Sequence, residues 1–80
     1  MKVQITFNKE DDNKQDNADL LHRLGAKLEN ELFYIELSKI EEVFEINTKL
    51  NKITNKYWNV TTGTYLDEKK IFIELDKEAN

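Results

Sequence analysis

The spacing of apolar residues changes twice along this chain, and each spacing admits one kind of backbone. From Lys2 to Asn8, Val3, Ile5 and Phe7 alternate with Lys2, Gln4, Thr6 and Asn8, the period of a strand with one buried face. From Ala18 the period lengthens. Leu20, Leu21, Leu24 and Leu28 recur at helical spacing, Asp16 or Asn17 is placed to cap the start, and Asp19 sits near the positive end of the helix dipole. A helix over 17–30 is expected. In the last third the period returns to two, with Trp58, Val60, Thr62, Thr64 and Leu66 on one strand and Ile71, Ile73 and Leu75 on the next. The turn between them, Asp67 to Lys70, lacks Asn-Gly or Asp-Gly and suits a loop of about four residues. That loop sets Leu66 opposite Ile71, Thr64 opposite Ile73 and Thr62 opposite Leu75, with both apolar sets on one face.

The middle of the chain is ambiguous in its period. Leu32, Phe33, Tyr34, Ile35 and Leu37 form a short aromatic and β-branched run, and Ser38 precedes Glu41 at the spacing of a capping box. This predicts a strand at 33–37 and a helix after Ser38 that places Ile40, Val43, Phe44 and Leu50 on its apolar face. Two rival patterns fit the same residues: a helical hairpin from Asn17 to about Tyr57, and a β-hairpin pairing 33–37 with 43–47. Lys9 to Asn17 is wholly polar and reads as a solvated loop, and Lys77 to Asn80 as a polar tail.

The expected fold class is therefore α+β: a small mixed four-stranded sheet with two helices on one face, in the order β-α-β-α-β-β, with a helical hairpin packed on a three-stranded sheet as the alternative. At 80 residues the chain makes one globular domain, 1–80, with one small core. Zero cysteines exclude a disulfide framework and a thiolate site. No apolar run approaches a bilayer span and no secretory signal opens the sequence, so no membrane partner and a cytoplasmic location are expected.

Chemistry-bearing motifs are sparse. His22 falls on the polar side of the first helix, and Ser38 is accounted for as a cap with no glycine-flanked nucleophile elbow around it. Asp11, Asp12, Asn13 and Asp16 gather oxygen ligands, yet Asp16 stands where a calcium loop needs glycine and His22 where it needs a bidentate glutamate. Gly25 and Gly63 are the only glycines, so no phosphate-cradling loop exists. Gly25 suggests close packing of the helix on the sheet, and Gly63 a bulge or the approach of another chain. These residues point to no cofactor, no metal and no enzyme.

What remains is a surface. The sheet face turned away from the helices is expected to present Gln4, Thr6, Tyr34, Glu36, Tyr57, Asn59, Thr61, Tyr65, Phe72, Glu74 and Asp76. Tyrosine and phenylalanine bury large areas at low entropic cost, which makes Tyr34, Glu36, Tyr57, Tyr65, Phe72 and Glu74 the candidate partner-binding residues of a non-catalytic protein-binding module, regulator or inhibitor. A net charge of -4 extends this to an inhibitor that fills the basic groove of a nucleic-acid enzyme. The Lys-, Asn-, Ile- and Glu-rich, proline-free composition suits an A+T-rich source such as a low-GC bacterium, a phage or a plasmid. A homodimer is a further candidate assembly. The alternative is weak single-stranded nucleic-acid binding by the same face, with Lys52, Lys56, Lys69 and Lys70 near Tyr57, Trp58 and Tyr65. Glu36, Glu74 and Asp76 would repel phosphates there, so nucleic acid is not the expected direct ligand.

Overall fold

Burial follows the alternation of the first segment: Val3 and Ile5 are fully enclosed while Gln4 between them is not. In the computed structural model, which describes residues 1–7, 14–65 and 70–77, the chain runs β1 (Lys2–Phe7), α1 (Lys14–Arg23), β2 (Lys27–Glu29), β3 (Leu32–Glu36), a 3-10 turn (Ile40–Glu42), α2 (Val43–Thr54), β4 (Trp58–Tyr65) and β5 (Lys70–Lys77). The class is α+β, with one mixed sheet of five strands rather than four, in the order β2-β3-β1-β5-β4. β1 lies at the centre, antiparallel to β3 and parallel to β5, and both outer pairs are antiparallel. It follows that β1 and β2 run the same way, as do β3 and β4, which is what a helical crossover between them requires. Leu21 and Leu24 of the first helical segment and Val43, Ile46 and Leu50 of α2 enclose Val3, Ile5, Ile35, Ile73 and Leu75 of the sheet in one core.

The fifth strand exists because α1 stops early. Helical spacing suggested continuation to Asn30, but Gly25 adopts φ +98, its N–H donates to His22 O at 3.0 Å, and Ala26 N–H donates to Leu21 O at 2.9 Å. This is a Schellman stop, with the buried Ala26 and Leu21 supplying its apolar contact. A Cβ at Gly25 would meet nothing within 4 Å, so the glycine serves backbone conformation and not close packing on the sheet. Leu28 belongs to β2, where it opposes Phe33. A tight turn at Asn30 and Glu31, both with positive φ (48 and 69), then brings Leu32 opposite Glu29. Two left-handed residues in a two-residue loop are the signature of a type I′ turn.

Other boundaries also move. α1 begins at Lys14, so Lys14 to Asn17 are helical and Asp16 sits in the first turn instead of capping it. Residues 8–13 of the expected polar loop lie outside the described residues. Neither a helical hairpin nor a pairing of 33–37 with 43–47 forms. The expected capping box is replaced by a 3-10 turn, in which Ser38 N–H donates to a Glu42 carboxylate oxygen at 3.2 Å and Glu42, not Glu41, reaches back. In α2 the buried set is Val43, Ile46 and Leu50, whereas Phe44 is 70% exposed. The C-terminal hairpin forms with Thr64 opposite Ile71, Thr62 opposite Ile73 and Val60 opposite Leu75, a slip of two residues from the expected register. An even slip keeps every side chain on its expected face. Tyr65 and Lys70 close the described ladder, and 66–69 and 78–80 lie outside the described residues.

Two stability changes test this reading. Glu31 holds a left-handed backbone that glycine adopts without steric cost, so Glu31→Gly should stabilise the fold by about 1 kcal/mol in chemical denaturation. Leu50 is fully buried, and Leu50→Ala should cost about 2–5 kcal/mol in the same measurement.

Candidate open-face binding surface

The ladder assigns faces without ambiguity, because residues opposite one another in a sheet share a face. Lys27, Tyr34, Gln4, Phe72 and Gly63 stand in one row across all five strands, on the face turned away from the core. Glu36 pairs with Lys2 in the next row on one side, and Thr6, Glu74 and Thr61 align on the other. Tyr65 opposite Lys70 and Asn59 opposite Asp76 complete the face. Five of the six candidate partner-binding residues, Tyr34, Glu36, Tyr65, Phe72 and Glu74, are thus brought together as expected. Tyr57 is not. It precedes β4 and lines a shallow depression beside α2 with Thr48, Asn51, Lys52, Asn55 and Lys56, because the strand starts only at Trp58.

Phe72 and Gly63 explain one another. A Cβ built on Gly63 would fall 2.5 Å from Phe72 Cζ, so the ring lies across the bare glycine backbone directly opposite it. The ladder runs through Gly63 without a bulge, and the group that comes near is this chain's own ring. Tyr65 packs against Phe72 with ring centroids 4.8 Å apart. Glycine in a strand forgoes side-chain packing, and a cross-strand aromatic ring restores it.

At the other end of the face, Lys2 donates to Glu29 at 2.6 Å and its ammonium stands 4.6 Å from the centre of the Tyr34 ring. The Glu29 hydrogen bond foremost, helped by the negative charges of Glu29 and Glu36, raises the Lys2 pKa above the usual lysine value, so the cation persists over the ring. The Met1 amino group lies 3.1 Å from a Glu36 carboxylate oxygen. Among the described residues, carboxylates of Glu29, Glu36, Glu74 and Asp76 are interspersed with Lys2, Lys27 and Lys70, which leaves no continuous basic track among the aromatic rings.

Of the residues considered for chemistry, Ser38 leads into the 3-10 turn and His22 packs on an aromatic ring. His22 meets Phe33 edge-on at 5.1 Å between ring centroids, which caps the sheet rim. Among the described residues no group of three or more His, Cys, Asp or Glu could hold a metal ion, and Asp11, Asp12 and Asn13 lie outside them. No described helix is long and apolar enough to cross a membrane.

Sequence reasoning missed a second surface. Phe44, 70% exposed, and Tyr57, 75% exposed, sit at either end of the outer side of α2, with Thr48, Lys49 and Lys52 between them. The available signal was the spacing of Phe44, Thr48 and Lys52, which puts the phenylalanine on the lysine side of the helix. Comparisons with protein-family models, curated proteins and solved structures give no match for this chain.

The aromatic pair offers a local test. Gly63 Hα protons beneath the Phe72 ring should resonate upfield, and Phe72→Ala should abolish that displacement. Gly63→Ala should force the ring aside and break its contact with Tyr65, observed as loss of ring-to-ring NOEs while the β4–β5 backbone NOEs persist.

Proposed function

We propose that the protein is a non-catalytic protein-binding module that engages its partner through the open sheet face. The observation that carries this reading is the convergence of Tyr34, Tyr65 and Phe72 on one rigid face with Glu36 and Glu74 set among them. Aromatic rings held by a sheet lose little entropy on binding. The carboxylates of Glu74 and Asp76, beside Phe72 on β5, favour a partner that brings basic groups, as the groove of a nucleic-acid enzyme would, and oppose a polyanion. An inhibitor or regulator of such an enzyme, of phage or plasmid origin and acting in the cytoplasm, is the specific form of the proposal.

A second reading, weak single-stranded nucleic-acid binding, is supported at a different place. Lys52 and Lys56 line the depression that holds the exposed Tyr57, and Lys49 flanks Phe44. Cations beside exposed rings are the elements of such a site, although Glu45 at the same place weakens it.

Affinity capture from source lysate, with and without nuclease, separates the two. A stoichiometric protein should be retained after nuclease treatment. Capture should be lost with Tyr34→Ser combined with Tyr65→Ser and kept with Phe44→Ser, the thermal midpoint of each variant staying close to that of the parent. Retention by the tyrosine variant, or recovery of nucleic acid alone that Phe44→Ser abolishes, would refute the open-face reading.

A further inference from the structure

The two edges of the sheet are unlike. β2, at one edge, has three residues and carries charge at Lys27 and Glu29, the short and charged design that keeps an edge from pairing with other chains. β4, at the other edge, has eight residues, Trp58–Tyr65, and no charge at all. In a chain with 35% charged residues, none falls between Lys56 and Asp67. Asn59, Thr61, Thr62 and Thr64 are exposed, and among the described residues no strand pairs with the outer side of β4. Proline, charge and bulges, the usual protections of a long edge, are all missing from this strand.

Which backbone groups point outward follows from one end of the strand. Trp58 N–H donates to Asn51 Oδ1 at 2.9 Å and Trp58 C=O accepts from Asn47 Nδ2 at 2.6 Å. Its peptide groups therefore serve α2 and not β5, which makes Trp58 opposite Lys77 a non-hydrogen-bonded pair. In an antiparallel ladder this alternates strictly. Asn59, Thr61, Gly63 and Tyr65 bond to β5, whereas Val60, Thr62 and Thr64 direct N–H and C=O outward. The side-chain amides of Asn47 and Asn51 close the edge at Trp58 and leave it open from Val60 onward.

We propose that β4 pairs antiparallel with β4 of a second copy of this chain, about a two-fold axis at Thr62. In that register Thr62 opposes Thr62 and Val60 opposes Thr64 of the second copy, so each of the three residues with outward groups exchanges both of them. Shifting by one pair in one direction sets Thr64 against the already occupied Trp58, and in the other carries Val60 beyond Tyr65, so the centred register uses the edge best. Self-pairing suits a strand without charge, because any charge near the axis would meet its own image. A charge-free seam is also where two copies of a net acidic chain approach at least electrostatic cost. The axis is perpendicular to the sheet, which puts the helices of both copies on one side and continues the open face, with its Tyr65 and Phe72, across the seam. Such pairing consumes both β4 edges and leaves the short charged β2 strands outermost, so the assembly closes at two copies. It stands independently of what the open face binds.

Sedimentation equilibrium of the full chain should give twice the 9.5 kDa monomer mass, with dissociation on dilution. Amide exchange followed by NMR should show Val60, Thr62 and Thr64 protected in the dimer and unprotected after dilution, while Asn59, Thr61 and Gly63 stay protected throughout. Thr62→Lys, which sets two ammonium groups face to face, should be monomeric with an unchanged circular dichroism spectrum; if that variant fails to fold, exchange in the parent chain decides alone. A monomeric mass at submillimolar concentration, a larger open-ended species, or a dimer whose Val60, Thr62 and Thr64 amides exchange freely would each overturn the proposal.

Discussion

The parallel pairing of β1 with β5 is the contact on which the rest of the structure depends. Without it the chain holds two separate local assemblies: β1, α1 and the β2–β3 hairpin on one side, α2 with the β4–β5 hairpin on the other. Ile5 opposite Ile73 and Phe7 opposite Leu75 join them, across nearly the whole length of the chain, and Ile5, Ile73 and Leu75 are among its most completely buried side chains. Closing so long a loop costs entropy before any contact rewards it. The apolar burial concentrated at this seam, under both helices, is what offsets the cost.

The second constraint is polar. Leaving α2, the chain must turn into an edge strand whose first peptide has no strand neighbour on its outer side. The helix satisfies that peptide itself: Asn47 and Asn51 face β4, bond to Trp58 C=O and N–H, and bond to each other at 3.3 Å. Thr54 adds an acceptor for the Trp58 indole N–H at 2.8 Å, and the ring meets Phe7 edge-on. Asparagines on the inner side of a helix look misplaced by hydropathy alone. Here they replace a missing strand partner and set which residues of β4 face inward or outward, so the junction positions the hairpin relative to β1.

Where alternation is sustained, the sequence showed the element, its buried face and, for the candidate surface, five of six residues. β1 and the C-terminal hairpin belong to this class, and the slip of two in the hairpin did no damage because faces repeat with that period. Elsewhere the local pattern and the structure part, each time for its own reason. Leu28 continues the helical spacing of Leu20, Leu21 and Leu24 by coincidence, and it concealed a stop whose actual signal was Gly25 after His22 and Arg23. The short strand beyond it turns through Asn30 and Glu31, a dipeptide without the glycine that marks such turns. Hydropathy alone points Phe44 inward, although burial of Val43, Ile46 and Leu50 leaves it facing out. Tyr57 continues the alternation of β4, but the strand begins one residue later.

Charge is distributed to match these roles. The helix-covered face needs none, and no polar or charged residue is buried there among those described. The open face interleaves both signs around its rings, so that charge breaks up what would otherwise be a flat aromatic patch. Along β4 this interleaving stops. Gly63 removes even a Cβ, and the Phe72 ring covers the gap from the inner neighbour, so the open side of the edge strand presents threonine, asparagine and tyrosine around a covered backbone. A strand that only had to complete a hairpin would gain solubility from a lysine at Thr61 or Thr64 without loss of packing, since both side chains are exposed. The absence of any such residue on the longest edge, in a chain that uses charge freely elsewhere, is the physical reason to regard that edge as a surface built to meet another strand.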